Sequence, residues 1–134
     1  MRTKLILLMV FAASTLSAQN KLTIVIDGIE NVKGHLMAGI YNEDSFLKKP
    51  PVAGKYEEIK ANEITIVFED IPSGEYSVSI FQDENNNQKL DTGAFGIPTE
   101  KYGFSNNAKG KMGPPSFDDC MFKIEEDTII YITL

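Results

Sequence analysis

Tryptophan is absent from this chain of 134 residues, and arginine, histidine and cysteine occur once each, as Arg2, His35 and Cys120. Each shortage excludes a chemistry. Past residue 18 there is no guanidinium to clamp a phosphate or carboxylate bidentately, which removes the usual tool of nucleotide binding and phosphoryl transfer. One His and one Cys cannot supply the three or four nitrogen and sulfur ligands that zinc and other soft or borderline metals need within one chain. Carboxylates outnumber cationic side chains 19 to 13, a net charge of −6. Nucleic acid, whose affinity comes largely from neutralised phosphates, is therefore a poor partner. Oxygen donors are plentiful, and a bound metal is expected to be a hard cation such as calcium.

Residues 1–18 place Arg2 and Lys4 ahead of the apolar run Leu5 to Ala13 and end in small residues before Gln19. That order is the order of a secretory signal peptide. The run is about half the roughly 20 residues needed to cross a bilayer, so no integral membrane segment is expected once the leader is removed. The remaining domain, residues 19–134, carries a net charge of −8 without Arg2 and Lys4. Export to the periplasm or the exterior is expected. Cys120 then has no disulfide partner within the chain, and a small buried thiol beside Met121 and Phe122 is the expectation. A nucleophilic role would need His35 as base, 85 residues away.

Apolar residues make up 43% and charged residues 24% of the chain, values that argue for a globular domain and against disorder. Period-two alternation dominates it. Leu22, Ile24 and Ile26 alternate with Thr23, Val25 and Asp27, predicting a strand over Lys21–Asp27, and Leu36, Ala38 and Ile40 repeat the pattern. A loop follows from Asn42 to Lys55, then a weak strand at Tyr56–Lys60 and a strong one at Glu63–Glu69. After the turn Ile71-Pro72-Ser73-Gly74, Tyr76, Val78 and Ile80 mark a fifth strand; Met121–Ile124 and Thr128–Leu134 supply the last two. No long amphipathic helix is legible. The prediction is an all-β fold: a seven-stranded immunoglobulin-like or prealbumin-like Greek-key β-sandwich with one long ordered loop, a small closed barrel being the alternative.

The long loop, Glu84 to Ser116, has no apolar periodicity and holds five Gly, three Pro and five Asn. A connection of that length inside a compact domain is usually functional or disordered, and Phe95, Ile97, Tyr102, Phe104 and Met112 argue for an ordered, self-packed loop. It opens on Asp83-Glu84-Asn85-Asn86-Asn87-Gln88-Lys89-Leu90-Asp91, the pattern D-x-N-x-N-x-x-x-D. Calcium loops of the EF-hand kind place oxygen ligands at positions one, three, five and nine and a main-chain carbonyl at seven. Here these are Asp83, Asn85, Asn87, Asp91 and the carbonyl of Lys89. Position six is Gln88 where such loops have glycine, and position twelve is Ala94 where they have a bidentate glutamate. Glu100, Glu84 or Asp70 is left to supply that charge through the fold. A hydrophilic turn rich in Asn and Asp is the simpler account of the same residues.

The segment Ile71-Pro72-Ser73-Gly74-Glu75-Tyr76 resembles the "pro-x-gly-x-tyr" turn of prealbumin-like and Cna-B-like bacterial sandwich domains. Further motifs follow in one order: Phe81 to Asp91, Phe95-Gly96-Ile97-Pro98-Thr99-Glu100, Tyr102 to Ala108, and Gly113-Pro114-Pro115-Ser116-Phe117. With them the whole domain resembles the secreted bacterial family called domain of unknown function 2141. It departs at Gln82, where a histidine is common, and at Gln88, where a glycine is common. The resemblance implies a small exported β-sandwich and no particular activity.

The functional expectation is an exported, non-enzymatic binding or structural module with a structural calcium ion. Phe95, Tyr102 and Phe104 would present their rings to a protein or glycan partner; the competing account has the same rings packing the loop onto the sandwich. A monomer is expected. The alternatives are a carbohydrate-active or other hydrolase using loop carboxylates, and an accessory domain of an envelope assembly whose edge strands accept a partner strand. Asp118-Asp119, if on a strand, would point to opposite faces and make a poor acid/base pair. His35, alternating with Leu36, is expected to face solvent.

Overall fold

The structure is a computed structural model that describes residues 19–134; the leader expected over residues 1–18 lies outside them. The alternating segments form strands β1 (Gln19–Asp27), β2 (His35–Tyr41), β3 (Ala53–Glu58), β4 (Ile64–Pro72) and β5 (Gly74–Asp83). After the long loop come β6 (Tyr102–Phe104), the one-turn helix α1 (Phe117–Cys120), β7 (Phe122–Ile124) and β8 (Thr128–Thr133). Among the described residues the strands number eight, where the sequence predicts seven. The extra one, β6, is only three residues long and lies inside the loop, too short for alternation to register; what makes it a strand is its antiparallel pairing with β5.

Two separate sheets form, in the orders β4-β1-β8 and β3-β2-β5-β6, with β7 pairing the start of β5 beside β6. This sets the closed barrel aside. All pairings are antiparallel except β1 with β8, which is parallel. Leu22, Ile24 and Ile26 of β1 with Ile66 and Phe68 of β4 and Ile132 of β8 face Leu36, Ala38 and Ile40 of β2 and Val78 and Ile80 of β5 across one core. The alternation that buries them sends the intervening residues outward.

Polar side chains close the ends of this core. Asn20, buried beside a bulge in the β1–β4 pairing, donates to the Ile71 carbonyl at 3.1 Å and to Ser73 at 3.0 Å. Tyr76 donates its hydroxyl back to the Pro72 carbonyl at 2.8 Å, which is what the tyrosine of the Pro72-Ser73-Gly74-Glu75-Tyr76 turn does. Gln82 faces inward and gives its amide to the carbonyls of Asn31 (2.7 Å) and Lys33 (3.1 Å), tying the β1–β2 connection to β5.

A second, smaller cluster covers one end of the outer face of the five-stranded sheet: Phe46, Phe104 and Cys120, backed by Tyr41, Ala108 and Phe117. Phe46 stands edge-on to Tyr41, Phe104 and Phe117. Cys120 is fully buried here, as the sequence predicts. Asp118 and Asp119 sit in α1, capped by Ser116, and not on a strand. The strand-geometry objection to them as an acid/base pair therefore does not apply.

Candidate ion loop and outer face

Asp83 ends β5, and alternation turns it to the outer face, where β2 places His35 and Met37 and β3 places Tyr56. A carboxylate there should meet water, yet Asp83 is fully buried. The chain beyond it coils back over it. The backbone N–H groups of Asn87 and Gln88 donate to its two oxygens at 3.2 and 2.6 Å, and Tyr56 donates its hydroxyl at 2.6 Å. Burial pushes the Asp83 carboxyl up, but the Tyr56 hydroxyl and the N–H groups of Gln88, Asn87 and Asn86 outweigh it and hold the group below its ordinary value. The reverse effect falls on Tyr56. Loss of water, then donation to Asp83 and the charges of Asp83 and Glu100, push its hydroxyl up to about 12.

Tight coiling needs left-handed backbone, and Asn86 and Gln88 supply it at φ 59° and 62°. Asparagine tolerates that conformation; glutamine adopts it against its preference, in the position where calcium loops carry glycine. Asn85 and Asn87 both donate their amide Nδ2 to the Asp91 carboxylate, and their oxygens accept from the N–H groups of Asn87 (3.3 Å) and Lys89 (2.9 Å). Asp83, Asn85, Asn87 and Asp91 thus form one connected set. Lys89 joins it through its N–H, where the sequence predicts its carbonyl. Glu100, buried, closes the loop: its two oxygens accept from the N–H of Glu84 at 2.7 Å and of Asp91 at 2.9 Å. It clasps both ends of the loop that the sequence expects it to serve as a ligand.

His35 does not stand free in solvent. It is half-buried, stacked on Tyr56 with ring centroids 4.4 Å apart and planes 4° from parallel, and its Nδ1 meets the Asn86 oxygen at 2.6 Å. The weak β3 pattern gave no sign that Tyr56 belongs to the site; its role depends on pairing across β2.

Asp83, Glu84, Asp91 and Glu100 lie on or against this loop, and few ion pairs reach them. Lys33 pairs with Glu84 at 3.4 Å, while Lys101 pairs with Glu30 at 3.1 Å, away from the set. Among the described residues no lysine pairs with Asp83, Asp91 or Glu100. Nor do any three His, Cys, Asp or Glu side chains converge there closely enough to hold a metal by themselves. The gathered donors are two carboxylates and two neutral amides, a mixture that suits a hard cation and excludes a soft one.

The three rings predicted to face a partner part company. Phe95 is fully exposed, held at φ 59° in a single 3₁₀ turn, and Tyr102 is 48% exposed. Phe104 is buried at 6% and belongs to the second core cluster. It is thus removed from the presented set, because its place on β6 opposite Ser79 turns it under Phe46. Pairing also builds a row that the sequence does not show. Tyr56, Met37, Phe81 and Tyr102 lie side by side on β3, β2, β5 and β6. They form a partly exposed apolar strip between the Asp83 loop on one side and the Phe46–Phe117 cluster on the other.

A family model described as "Uncharacterized protein conserved in bacteria (DUF2141)" matches residues 24–131. No curated protein and no solved structure matches the chain.

Proposed function

The chain belongs to the DUF2141 family of uncharacterized bacterial proteins, and from that premise we propose an exported, non-enzymatic binding or structural module whose long loop is organised by calcium. The observation that supports the ion is the D-x-N-x-N-x-x-x-D spacing drawn into one connected set, Asp83, Asn85, Asn87 and Asp91, whose two carboxylates have no lysine partner among the described residues. A divalent cation would neutralise the two carboxylates. Asp83, Asn85, Asn87, Asp91 and the Lys89 carbonyl would hold it, with Glu100 adding charge behind them. Its role is structural: it neutralises the set and fixes the loop. Within this reading the sandwich is of the immunoglobulin-like or prealbumin-like Greek-key kind.

The partner surface is the strip Tyr56–Met37–Phe81–Tyr102, with Phe95 projecting from the neighbouring loop. Rings on a flat sheet face suit the apolar faces of sugars or an apolar patch on a protein.

Thermal melts with calcium and with chelator test the ion. The affinity expected of a site with this few charges is that of extracellular modules, a dissociation constant of roughly 10⁻⁴ to 10⁻³ M. Saturation at 100 times that constant adds about 2.7 kcal/mol. Asp91→Ala should abolish the shift; a melting temperature of the unaltered protein that does not move in millimolar calcium would overturn the site. Glycan-array binding lost in Tyr102→Ala supports the surface, and binding that survives in that variant counts against it.

A further inference from the structure

Among the described residues five strands carry the open edges of the two sheets, and four of them are guarded, β7 by its length of three residues and by Lys123. β3 bears Lys55, Glu57 and Glu58; β4 bears Glu69, a left-handed Asp70 and Pro72; β6 is three residues long and runs straight into the turn Ser105–Asn107. Charges, proline, irregular backbone and shortness are the devices by which natural proteins keep sheet edges from pairing. β8 has none of these, although the turn Ser105–Asn107 packs against it and caps it at Thr133. Its six residues, Thr128-Ile129-Ile130-Tyr131-Ile132-Thr133, include no charge and no proline, and Ile129 and Tyr131 are 59% and 67% exposed.

The hydrogen bonds at its end show which way its backbone faces. The Leu134 N–H donates to Asp27 of β1, while the Thr133 N–H points away from β1 and is capped by Asn107 Oδ1 at 2.9 Å. Alternation then turns the N–H and C=O of Ile129 and Tyr131 to the open side as well. Among the described residues no strand pairs with β8 there.

We infer that this edge pairs antiparallel with the β8 edge of a second copy of the chain, about a twofold axis at Ile130. A single register satisfies both the backbone and the charges. Centred on Ile130, Ile129 faces the second copy's Tyr131 and Tyr131 its Ile129, an aromatic against a β-branched side chain on the same face, twice over. Thr133 keeps its Asn107 cap. The same register brings the second copy's Glu126 opposite Leu134. There a groove of about 510 Å³ between the sheet edges is lined by Tyr102, Asn107, Lys109, Thr133 and Leu134. Lys109 is its cation, and the acidic turn Glu125-Glu126-Asp127 is what the twofold axis delivers to it. A heterologous strand would need to bring its own acidic group to the same place. A second copy has one there by symmetry.

Sedimentation of the purified protein over a concentration series reaching about 1 mM, which populates even weak complexes, reads the association. The expected result is a concentration-dependent dimer. Tyr131→Pro removes an outward N–H and the ring and fixes the local backbone, and Ile129→Lys places a charge on an exposed site; both should return the monomer, and the second leaves the core untouched if the first disturbs folding. Lys109→Glu should weaken the dimer, and adding Glu126→Lys should restore it. A monomer at every concentration, or a dimer indifferent to both Ile129→Lys and Lys109→Glu, overturns the proposal.

Discussion

Tyr56 reaches over β2 to give its hydroxyl to Asp83 at 2.6 Å, joining the middle of β3 to the end of β5 where the loop begins. The two groups depend on each other at opposite ends of the pH scale. Asp83, held below its ordinary value, contributes stability that is present above that value and is lost as pH falls through the lower folded one. Tyr56, raised to about 12, contributes stability present below its ordinary value of 10.0 and lost as pH climbs toward about 12. Melting temperature against pH should therefore fall on both flanks, and Tyr56→Phe should shrink the alkaline fall. The same variant should lower the melting temperature at neutral pH, because Asp83 stays buried with one donor fewer.

Gln88 holds a left-handed backbone that costs an L-residue about 1–2 kcal/mol, and its side chain is exposed. Gln88→Gly should stabilise the protein by about 0.5–1 kcal/mol, the strain relieved less the extra freedom of the unfolded glycine. Chemical denaturation measures it. A loss of stability would mean that the side chain has a role its exposure does not show.

Phe104 and Phe95 share a loop and should respond oppositely to truncation. Phe104→Ala leaves a hole under Phe46 and should cost about 3–5 kcal/mol. Phe95→Ala, at a fully exposed ring, should stay within about 0.5 kcal/mol. Denaturation midpoints of the two variants separate a packing ring from a presented one.

Cys120 is buried, and that burial, with the Asp119 charge beside it, pushes its thiol up to about 11. Thiolate is the reactive form. Iodoacetamide should therefore leave the folded protein unlabelled at neutral pH and modify it promptly in denaturant; fast labelling of the native state would show that the cluster around Phe46 opens.

How much of this could be read in advance follows from how far each feature reaches along the chain. Alternation at Leu22-Ile24-Ile26, at Leu36-Ala38-Ile40 and at Val78-Ile80 is local, so the strands and their core faces were legible. The same holds for the Pro72–Tyr76 turn, whose hydrogen bond spans four residues, and for the spacing of Asp83, Asn85, Asn87 and Asp91. Tertiary structure alone decided the rest. It made β6 a strand, put Phe104 under Phe46, aligned Tyr56, Met37, Phe81 and Tyr102 in a row, and returned Glu100 to both ends of its loop. Each of these rests on pairing between residues distant in sequence, and a side chain's neighbours across a sheet follow from register, which no single segment encodes.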